Sequence, residues 1–195
     1  IACHQASFLD RIDVLRLAAD GGTFLLNTPH AHGAVWDQLP RSLQAQIVEK
    51  KLRFFVIDAS KVARDMGLGG RINTVLQTCF FAISGVLPRD EAISRIKQSI
   101  EKSYSVKGAD VVRRNFEAVD HTLAHLFEVA VPSVATSAVD RPPIVPATAP
   151  EFVHEVTAKM MLGRGDEIRV GQLPADGTFP SGTAAFEKRN ISDDV

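Results

Sequence analysis

The chain has 195 residues, a formal net charge of -1 at pH 7, and a composition that is 45% hydrophobic and 23% charged. This composition is typical of a folded globular protein and excludes the disordered, collagen-like and disulfide-dense classes. A net charge so close to zero provides no general attraction for nucleic acid or for anionic lipid, so we expect neither a nucleic acid nor a membrane as a partner.

The two cysteines, Cys3 and Cys79, lie far apart and match no Cys-x-x-Cys pattern. We therefore expect neither a zinc site nor an iron–sulfur cluster to be built from this chain alone, and this cysteine usage is typical of a reduced, cytoplasmic protein. The most apolar stretch, 75–87, is shorter than the roughly 20 apolar residues of a membrane span, so it predicts a buried helix. No signal-peptide pattern begins at Ile1, and we expect the natural chain to start upstream.

Three short apolar runs in the first third of the chain predict strands, at residues 1–3, 23–26 and 53–57. Helical patterns at 8–17 and 42–50 separate these runs. Strands that alternate with helices are typical of an α/β fold in which each helix covers the crossover between parallel strands. We therefore predict a Rossmann-like layered domain with a parallel sheet.

The remainder of this domain is predicted to be helical. A short first helix is expected to begin after Ser60 as its N-cap and to end at glycines 67–70. The second helix follows these glycines and is expected to end at Pro88. Asp90 is the expected N-cap of the third helix, and Gly108 precedes the fourth. The last two helices are amphipathic, so each is expected to bury one face.

Composition divides the chain into three predicted parts. Residues 1–129 form the α/β domain with its helical C-terminal half. Residues 130–150 contain five prolines, which prevent regular structure and predict a linker or an extended strap. Residues 151–195 are predicted to form one helix, 151–162, followed by a small irregular α+β segment with strand-like pieces such as 167–170.

Local patterns alone give only weak indications of a binding site. The run 67–74 leads from glycines into a helix start, where free N–H groups favour an anion, but it matches neither the dinucleotide-binding nor the Walker pattern. A helix C-cap followed by a turn is the favoured interpretation. The run 113–115, Arg-Arg-Asn, lies on one helix with successive residues about 100° apart, so its three side chains cannot all face one ligand. A solvated helix face is favoured there.

The histidines and cysteines give few indications of other chemistry. His121 and His125 have the spacing of two metal ligands on one helix face, but no third ligand accompanies them, so a metal site is disfavoured. Cys79 has apolar neighbours, which favours a buried structural thiol. Cys3 and His4 stand at the end of the first strand, where α/β proteins usually bind ligands, and are better candidates for the wall of a site.

Six runs together resemble the gamma domain of the 2-oxoacid oxidoreductases that use thiamine diphosphate, coenzyme A and iron–sulfur clusters. The runs are 2–5 (ACHQ), 21–27 (GGTFLLN), 55–59 (FVIDA), 69–88 (GGRINTVLQTCFFAISGVLP), 111–120 (VVRRNFEAVD) and 179–189 (FPSGTAAFEKR). The last resembles the Glu-Lys-Arg segment that joins this domain to a ferredoxin-like domain in single-chain pyruvate:ferredoxin oxidoreductases. The combination is specific, although no single run is.

The resemblance implies part of a cytoplasmic enzyme that converts pyruvate, coenzyme A and oxidised ferredoxin or flavodoxin to acetyl-CoA, carbon dioxide and reduced carrier. In that family the gamma domain helps to bind coenzyme A, whereas thiamine diphosphate, Mg²⁺ and the 4Fe–4S clusters belong to other domains, and the enzyme is typically a homodimer. The family's asparagines in the GRINT and RRNF runs match Asn73 and Asn115, the implied coenzyme A contacts, since an amide both donates and accepts hydrogen bonds. Arg71 and Arg114 are further candidates for contacts with phosphate.

By the same resemblance, the glycine-rich loop that completes the coenzyme A pocket is expected upstream of Ile1, and the cluster-binding cysteines downstream of Val195. We therefore expect the 195 residues alone to be inactive and to bind coenzyme A weakly. Two alternatives stay open. One is the gamma domain of an enzyme for another 2-oxoacid, against which the Glu-Lys-Arg run at 187–189 argues. The other is a non-catalytic module that positions neighbouring domains.

Overall fold

A computed structural model of the chain describes residues 1–10 and 12–186 and contains a four-stranded sheet in the order β1-β2-β3-β4. The strands are β1 Ala2–Cys3, β2 Thr23–Asn27, β3 Arg53–Ile57 and β4 Phe127–Val129. The first three strands pair in parallel, which confirms the predicted parallel sheet, and Leu25 of β2 lies opposite both Ala2 and Phe55. The fourth strand was not predicted, and it pairs antiparallel with β3 at the edge of the sheet.

Helices cover the sheet and form the second half of the domain. The α-helices among the described residues are α1 Val35–Gln38, α2 Arg41–Glu49, α3 Ala59–Asp65, α4 Asn73–Ser84, α5 Arg89–Tyr104, α6 Ala109–His125 and α7 Ala158–Met161. None of the helices in that part of the chain is both long enough and apolar enough to cross a membrane.

Apolar side chains pack on both faces of the sheet, because successive residues of a strand point to opposite sides. Phe24, Leu26 and Phe54 pack on one face, with α1 and α2. Leu25, Phe55 and Ile57 pack on the other face, with α3 and α4. A third cluster joins α5 to α6, with Ile96, Ile100 and Val119 at its centre. The sheet is therefore the middle layer of an α/β domain, as predicted.

The helix predicted at 8–17 is replaced by a short 3-10 helix, Ala6–Asp10, and by turns that follow it. The Lys50 ammonium, at the end of α2, holds the turns at 15–18. Its Nζ donates to the carbonyl oxygens of Leu15, Arg16 and Ala18 at 2.7, 3.0 and 3.0 Å. A lysine ammonium has three N–H donors, so this one side chain satisfies three carbonyl oxygens of the turns.

The N-cap of α3 is Asp58 rather than the predicted Ser60. Its Oδ1 accepts a hydrogen bond from the backbone N–H of Lys61 at 2.8 Å. Both residue types are good caps. The aspartate takes the role because β3 ends at Ile57, and the helix starts as soon as the strand stops.

Two later boundaries also differ from prediction. The end of α4 is Ser84, and Gly85 follows it with φ 68°, the left-handed conformation of a glycine C-cap. Pro88 is the N-cap of α5 rather than the end of α4, because its φ of −53° suits the start of a helix. Asp90, the predicted cap, lies in the first turn of α5, where its negative charge interacts favourably with the positive end of the helix dipole.

Residues 130–150 form an extended strap, and a buried amide holds part of it against α1 and α2. Gln44 is fully buried. Its Nε2 donates to the carbonyl oxygen of Trp36 at 2.6 Å, and its Oε1 accepts from the backbone N–H groups of Thr136 and Ser137, both at 2.8 Å. Two backbone N–H groups of the strap are therefore satisfied by one buried side chain and not by pairing with a neighbouring strand.

The C-terminal part contains a helix where one was predicted, formed by a π-helical turn, Val153–Thr157, that leads into α7. The strand-like piece predicted at 167–170 is wrong: it spans the gap between two 3-10 turns, Gly165–Glu167 and Val170–Gln172. A contact between neighbouring residues takes the place of pairing with another strand. The Glu167 carboxylate binds the Arg164 guanidinium, three residues earlier, at 2.6 and 2.7 Å. The Glu-Lys-Arg run lies outside the described residues, and the domain boundaries at 129 and 150 stay predictions.

Both cysteines are buried and free. Burial raises the pKa of the Cys79 thiol to about 12, so the predicted structural thiol is confirmed. Cys3 belongs to the core beneath the first face of the sheet, and its Sγ donates to the carbonyl oxygen of Gln5 at 3.1 Å. Burial raises the pKa of this thiol as well. Cys3 is therefore a core residue.

We expect the substitution Gln44→Ala to release the strap. It leaves the backbone N–H groups of Thr136 and Ser137 without their partner, at about 1–3 kcal/mol for each unsatisfied group. Hydrogen exchange of peptides covering 133–141 should be at least about tenfold faster in the variant, since 1.4 kcal/mol corresponds to a factor of ten. Gln98→Ala, at an exposed position of α5, is the matched control. Equal exchange in both variants would show that the strap does not depend on Gln44.

We expect Cys79 to resist alkylation while the protein is folded. Its folded pKa lies above its ordinary value of 9.0, so the stability contributed by the neutral thiol is fully present below pH 9 and is lost as the pH rises towards 12. At pH 8 almost no reactive thiolate forms. Peptide mass spectrometry after iodoacetamide treatment should find Cys79 modified only when denaturant is added. Rapid modification without denaturant would contradict its burial.

Candidate functional site

A cleft beside the C-terminal end of α3 brings together the four site residues that the sequence indicates. Arg71, Asn73, Arg114 and Asn115 all line it, and its volume is about 390 Å³. Its other lining residues are Gly67, Leu68, Gly69, Thr74, Tyr104 and Val111. Residues more than 40 positions apart in sequence thus meet at one surface of the helical half of the domain.

The glycine run forms one wall of this cleft. Gly67 has φ 68° and ends α3. Its N–H donates to the carbonyl oxygen of Arg64 at 2.9 Å, and the N–H of Leu68 donates to that of Ala63 at 2.8 Å, which together make a Schellman cap. The favoured interpretation of the run, a helix C-cap followed by a turn, is therefore confirmed. The same turn brings the chain to Asn73 at the start of α4.

Asn115 lies at the base of the cleft and is only 5% exposed. Its Nδ2 donates to the carbonyl oxygen of Val111 at 2.8 Å, and its Oδ1 accepts from Oγ1 of Thr74 at 3.2 Å. The amide thus joins α6 to the first turn of α4. One N–H and one lone pair of the amide stay available in this arrangement.

Thr74 is a cleft residue that the sequence did not single out. It ends the candidate run 67–74 and lies beside Asn73 in the GRINT run, but its pairing with Asn115 depends on how α4 and α6 approach each other. Tyr104, at the end of α5, was missed for the same reason.

The adjacent arginines of α6 point in different directions, as helical geometry requires. Arg113 points away from the cleft, where its guanidinium binds Glu117 at 2.8 Å and Asp110 at 3.3 Å. These two carboxylates raise the pKa of Arg113, Glu117 by the larger amount. Arg114 lies over Gly67 instead, and a β-carbon at that glycine would be 3.5 Å from its Nη1. That distance is an ordinary van der Waals contact, so the positive φ of Gly67, and not the space for the guanidinium, favours glycine at this position.

The cleft carries positive charge without a compensating carboxylate among its lining residues. Neither the Arg71 nor the Arg114 guanidinium makes a hydrogen bond or ion pair with any residue in the described ranges, whereas the guanidinium groups of Arg53, Arg95 and Arg164 each bind a carboxylate within 3.2 Å. The start of α4 adds to the positive potential of the cleft. Its first turn has no acidic residue, and its N-cap has no side-chain hydrogen bond, so the positive end of the helix dipole is not compensated there. Such an arrangement favours an anionic ligand.

A second, smaller pocket of about 230 Å³ lies at the carboxyl ends of β2 and β3. Several of its polar or aromatic side chains already have partners: Lys61 binds Asp65, and the ring of His32 stacks on Phe127 with centroids 4.3 Å apart. Neither Cys3 nor His4, the candidates for a site at the strand ends, lines it.

The described residues also offer little for metal or cluster chemistry. They contain no group of three or more His, Cys, Asp or Glu side chains that could hold a metal ion. His121 and His125 stack on each other, and Nδ1 of His125 bonds the carbonyl oxygen of His121 at 2.8 Å. An iron–sulfur cluster needs four protein ligands, usually cysteines, so the two buried cysteines of the chain do not fit one.

Comparison with known proteins agrees with the resemblance seen in the sequence. A pyruvate-flavodoxin oxidoreductase of Rhodospirillum rubrum is 54% identical over 195 residues, and a putative pyruvate-flavodoxin oxidoreductase of Synechocystis is 50% identical over 196 residues. Each alignment covers 100% of this chain but only 16% of the relative. The chain therefore spans about a sixth of the length of these relatives.

The fold also has a counterpart among solved structures. The PORC subunit of pyruvate oxidoreductase from Thermotoga maritima superposes with a TM-score of 0.51, at 17% identity, over 66% of this chain and 64% of that subunit. At this identity the likeness concerns the fold alone.

Two families match the sequence. One, described as a domain of unknown function and named EKR, matches residues 138–192, which include the Glu-Lys-Arg run. The other, described as pyruvate ferredoxin/flavodoxin oxidoreductase, matches residues 1–125, the part of the chain that contains the cleft. Because this second match covers well over half of the chain and the relatives above bear the same name, the chain belongs to the pyruvate ferredoxin/flavodoxin oxidoreductase family.

Proposed function

We propose that this chain is the part of a pyruvate oxidoreductase that binds coenzyme A. The complete enzyme would oxidatively decarboxylate pyruvate to acetyl-CoA and carbon dioxide and would pass the electrons to ferredoxin or flavodoxin. Family membership supports the reaction. The single observation that supports the ligand is the cationic cleft, in which the four candidate residues meet.

Each cleft residue has a role that its chemistry suits. Arg71 and Arg114 provide guanidinium groups, which bind phosphate oxygens through parallel N–H donors. Asn73 is exposed at the start of α4, so its amide is available to donate and accept hydrogen bonds with the ligand. Asn115 fixes Thr74 in the cleft and keeps one donor and one acceptor site for the ligand. These groups bind and orient coenzyme A and take no part in breaking the carbon–carbon bond of pyruvate.

The remaining cofactors belong to other parts of the enzyme in this proposal. Thiamine diphosphate and Mg²⁺ would activate the oxoacid, and 4Fe–4S clusters would carry the electrons, whereas the described residues hold no ligand set for a metal. We propose that the partners of this chain are the other domains of the same enzyme, in a homodimer, with ferredoxin or flavodoxin as the carrier. A cytoplasmic location is consistent with two cysteines that are free and buried.

The variants Asn73→Ala and Asn115→Ala in the complete enzyme should raise the apparent KM for coenzyme A. Loss of one hydrogen bond to a ligand costs about 0.5–1.5 kcal/mol, so we expect roughly a 3- to 10-fold rise. Pyruvate decarboxylation itself should continue, because neither residue contacts the oxoacid in the proposed arrangement. Steady-state kinetics with varied coenzyme A, beside an assay of carbon dioxide release from pyruvate, measures both.

Gln77→Ala is the matched control for these variants, since Gln77 is an exposed amide one turn after Asn73 on α4 and does not line the cleft. Its KM for coenzyme A should equal that of the unmodified enzyme. An unchanged KM in both asparagine variants would refute the assignment of the cleft.

Calorimetric titration should show whether the cleft is sufficient for binding. Desulfo-coenzyme A, which lacks the thiol, is titrated into the complete enzyme and into residues 1–195. We expect binding to the complete enzyme and much weaker binding to the 195 residues, because the chain spans only about a sixth of the length of its relatives and we propose that the pocket includes residues from other parts of the enzyme. Binding to neither protein would leave the chain as a structural module that positions its neighbours.

A further inference from the structure

We infer that residues 136–140, Thr-Ser-Ala-Val-Asp, form a docking motif that the surface of α1 and α2 recognises. The motif includes the start of the EKR region, 138–192, and keeps that region attached even when the chain before it is cut. The partner that fits this surface is an extended peptide with two adjacent backbone N–H groups and an aspartate three residues later. The inference gives the start of the EKR region a role and does not depend on coenzyme A.

One end of the docking motif binds the N-terminus of α2. The N-cap of this helix, Pro40, makes no side-chain hydrogen bond, and the first N–H groups of a helix have no partner within it. The N–H of Arg41 donates instead to the carbonyl oxygen of Val139 at 2.9 Å, and the N–H of Ser42 donates to Oδ1 of Asp140 at 3.1 Å. The Ser42 hydroxyl donates to the same oxygen at 2.6 Å. Asp140 thus caps α2 from a position 98 residues beyond Ser42.

The charge of Asp140 suits this position. The N-terminus of a helix carries a partial positive charge, so a carboxylate is stabilised there, and aspartate is among the preferred N-cap residues. The donors hold the pKa of the Asp140 carboxyl below its ordinary value, and the hydrogen bond from Ser42 is the largest cause. The surface therefore selects an acidic side chain at this position of the peptide.

The other end of the motif is bound through its backbone and through one hydroxyl. Gln44 accepts from the N–H groups of Thr136 and Ser137, and Nε1 of Trp36 donates to Oγ1 of Thr136 at 3.0 Å. The Arg41 guanidinium donates to the carbonyl oxygen of Ser137 at 3.1 Å. Ser137 is buried in this arrangement. The surface thus contacts successive residues of the motif in the way that a groove binds an extended peptide.

The remainder of the EKR region adds little to this attachment. Its apolar cluster consists of residues between 144 and 186, none of which belongs to the clusters on the two faces of the sheet. Among the described residues, one hydrogen bond between the α/β domain and the C-terminal part lies outside the motif, from Nη2 of Arg16 to the carbonyl oxygen of Gly163 at 2.9 Å. The Arg141 guanidinium also lies 3.7 Å from the Asp13 carboxylate. The contact between the two parts is therefore polar and centred on the motif.

A short, exposed tether joins β4 to the motif. Residues 132–135 make no hydrogen bond with any of the described residues, and Val134 is 62% exposed. A tether raises the local concentration of the motif near its binding surface, but this one provides none of the hydrogen bonds. Cutting the tether therefore converts the docking into an association between two chains and removes none of the hydrogen bonds that hold the motif.

The experiment cuts the tether in the 195-residue chain. A protease recognition sequence is inserted between Ser133 and Val134, and the folded protein is cleaved. Size-exclusion chromatography with mass spectrometry then shows whether the two pieces elute together, as we expect for the unmodified motif. Asp140→Ala should weaken the association about tenfold, because α2 loses its cap. Asp176→Ala is the matched control, since this exposed aspartate of the C-terminal part binds its own neighbour Thr178.

Titration of one piece with the other measures the dissociation constant for each variant. Asp140→Asn keeps an acceptor oxygen without the charge, so its dissociation constant should lie between those of the unmodified motif and of Asp140→Ala. Separation of the unmodified pieces on cleavage would overturn the inference. Equal dissociation constants for Asp140→Ala and Asp176→Ala would also overturn it, because the EKR region would then be held by contacts other than the motif.

Discussion

The hydrogen bond between Thr74 and Asn115 is the contact on which the candidate site depends. It joins the first turn of α4 to α6 at 3.2 Å, and the asparagine that accepts it is almost completely buried. A polar group buried at this depth without its partner costs about 1–3 kcal/mol, so the two helices are held in one relative position. The cleft exists because that position leaves a gap between the glycine turn after α3 and the N-terminal half of α6.

A second buried amide has a similar role on the other side of the molecule. Gln44 pairs the backbone of α1 with the backbone of the strap, and Asn115 pairs the backbone of its own helix with the side chain of another. An amide suits both positions because it donates and accepts at once. Gln44 provides the strap with hydrogen bonds that a strand partner would otherwise supply, whereas Asn115 joins two helices that are each complete.

Much of the sheet was predictable from the sequence, because its parallel strands are local apolar runs. β4 was not, since its three residues, Phe127–Val129, carry no clear pattern and its pairing depends on β3, over 70 residues earlier. An ion pair between Arg53 and Glu128 at 3.0 Å supports that pairing, and it too is invisible to a local pattern. The turns that replace the helix expected at 8–17 likewise involve a distant residue, since Lys50 binds the carbonyl oxygens of Leu15, Arg16 and Ala18.

In the cleft, too, the sequence predicts the features that depend on neighbouring residues but not those that depend on distant contacts. Local patterns favoured a helix cap at 67–74 and a solvated face at 113–115, and each interpretation describes part of the structure: Gly67 is the cap, and Arg113 is the solvated residue. Only the resemblance to a family indicated Asn73, Asn115, Arg71 and Arg114 together. Thr74 and Tyr104 were missed because their membership of the cleft follows from the packing of α4, α5 and α6, which no short run encodes.

The position of the cleft has a further consequence for how binding depends on the fold. Ligands of open α/β sheets usually lie at the carboxyl ends of the strands, and for this reason the sequence indicated Cys3 and His4 as candidates for the wall of a site. The cleft lies instead beyond the C-terminal end of α3, between helices. Its shape is therefore set by helix packing, including the fully buried Val119 of α6, and not by the ends of the rigid sheet. Residues that never touch a ligand can then control its affinity, because any shift of α6 against α4 moves Arg114 relative to Asn73.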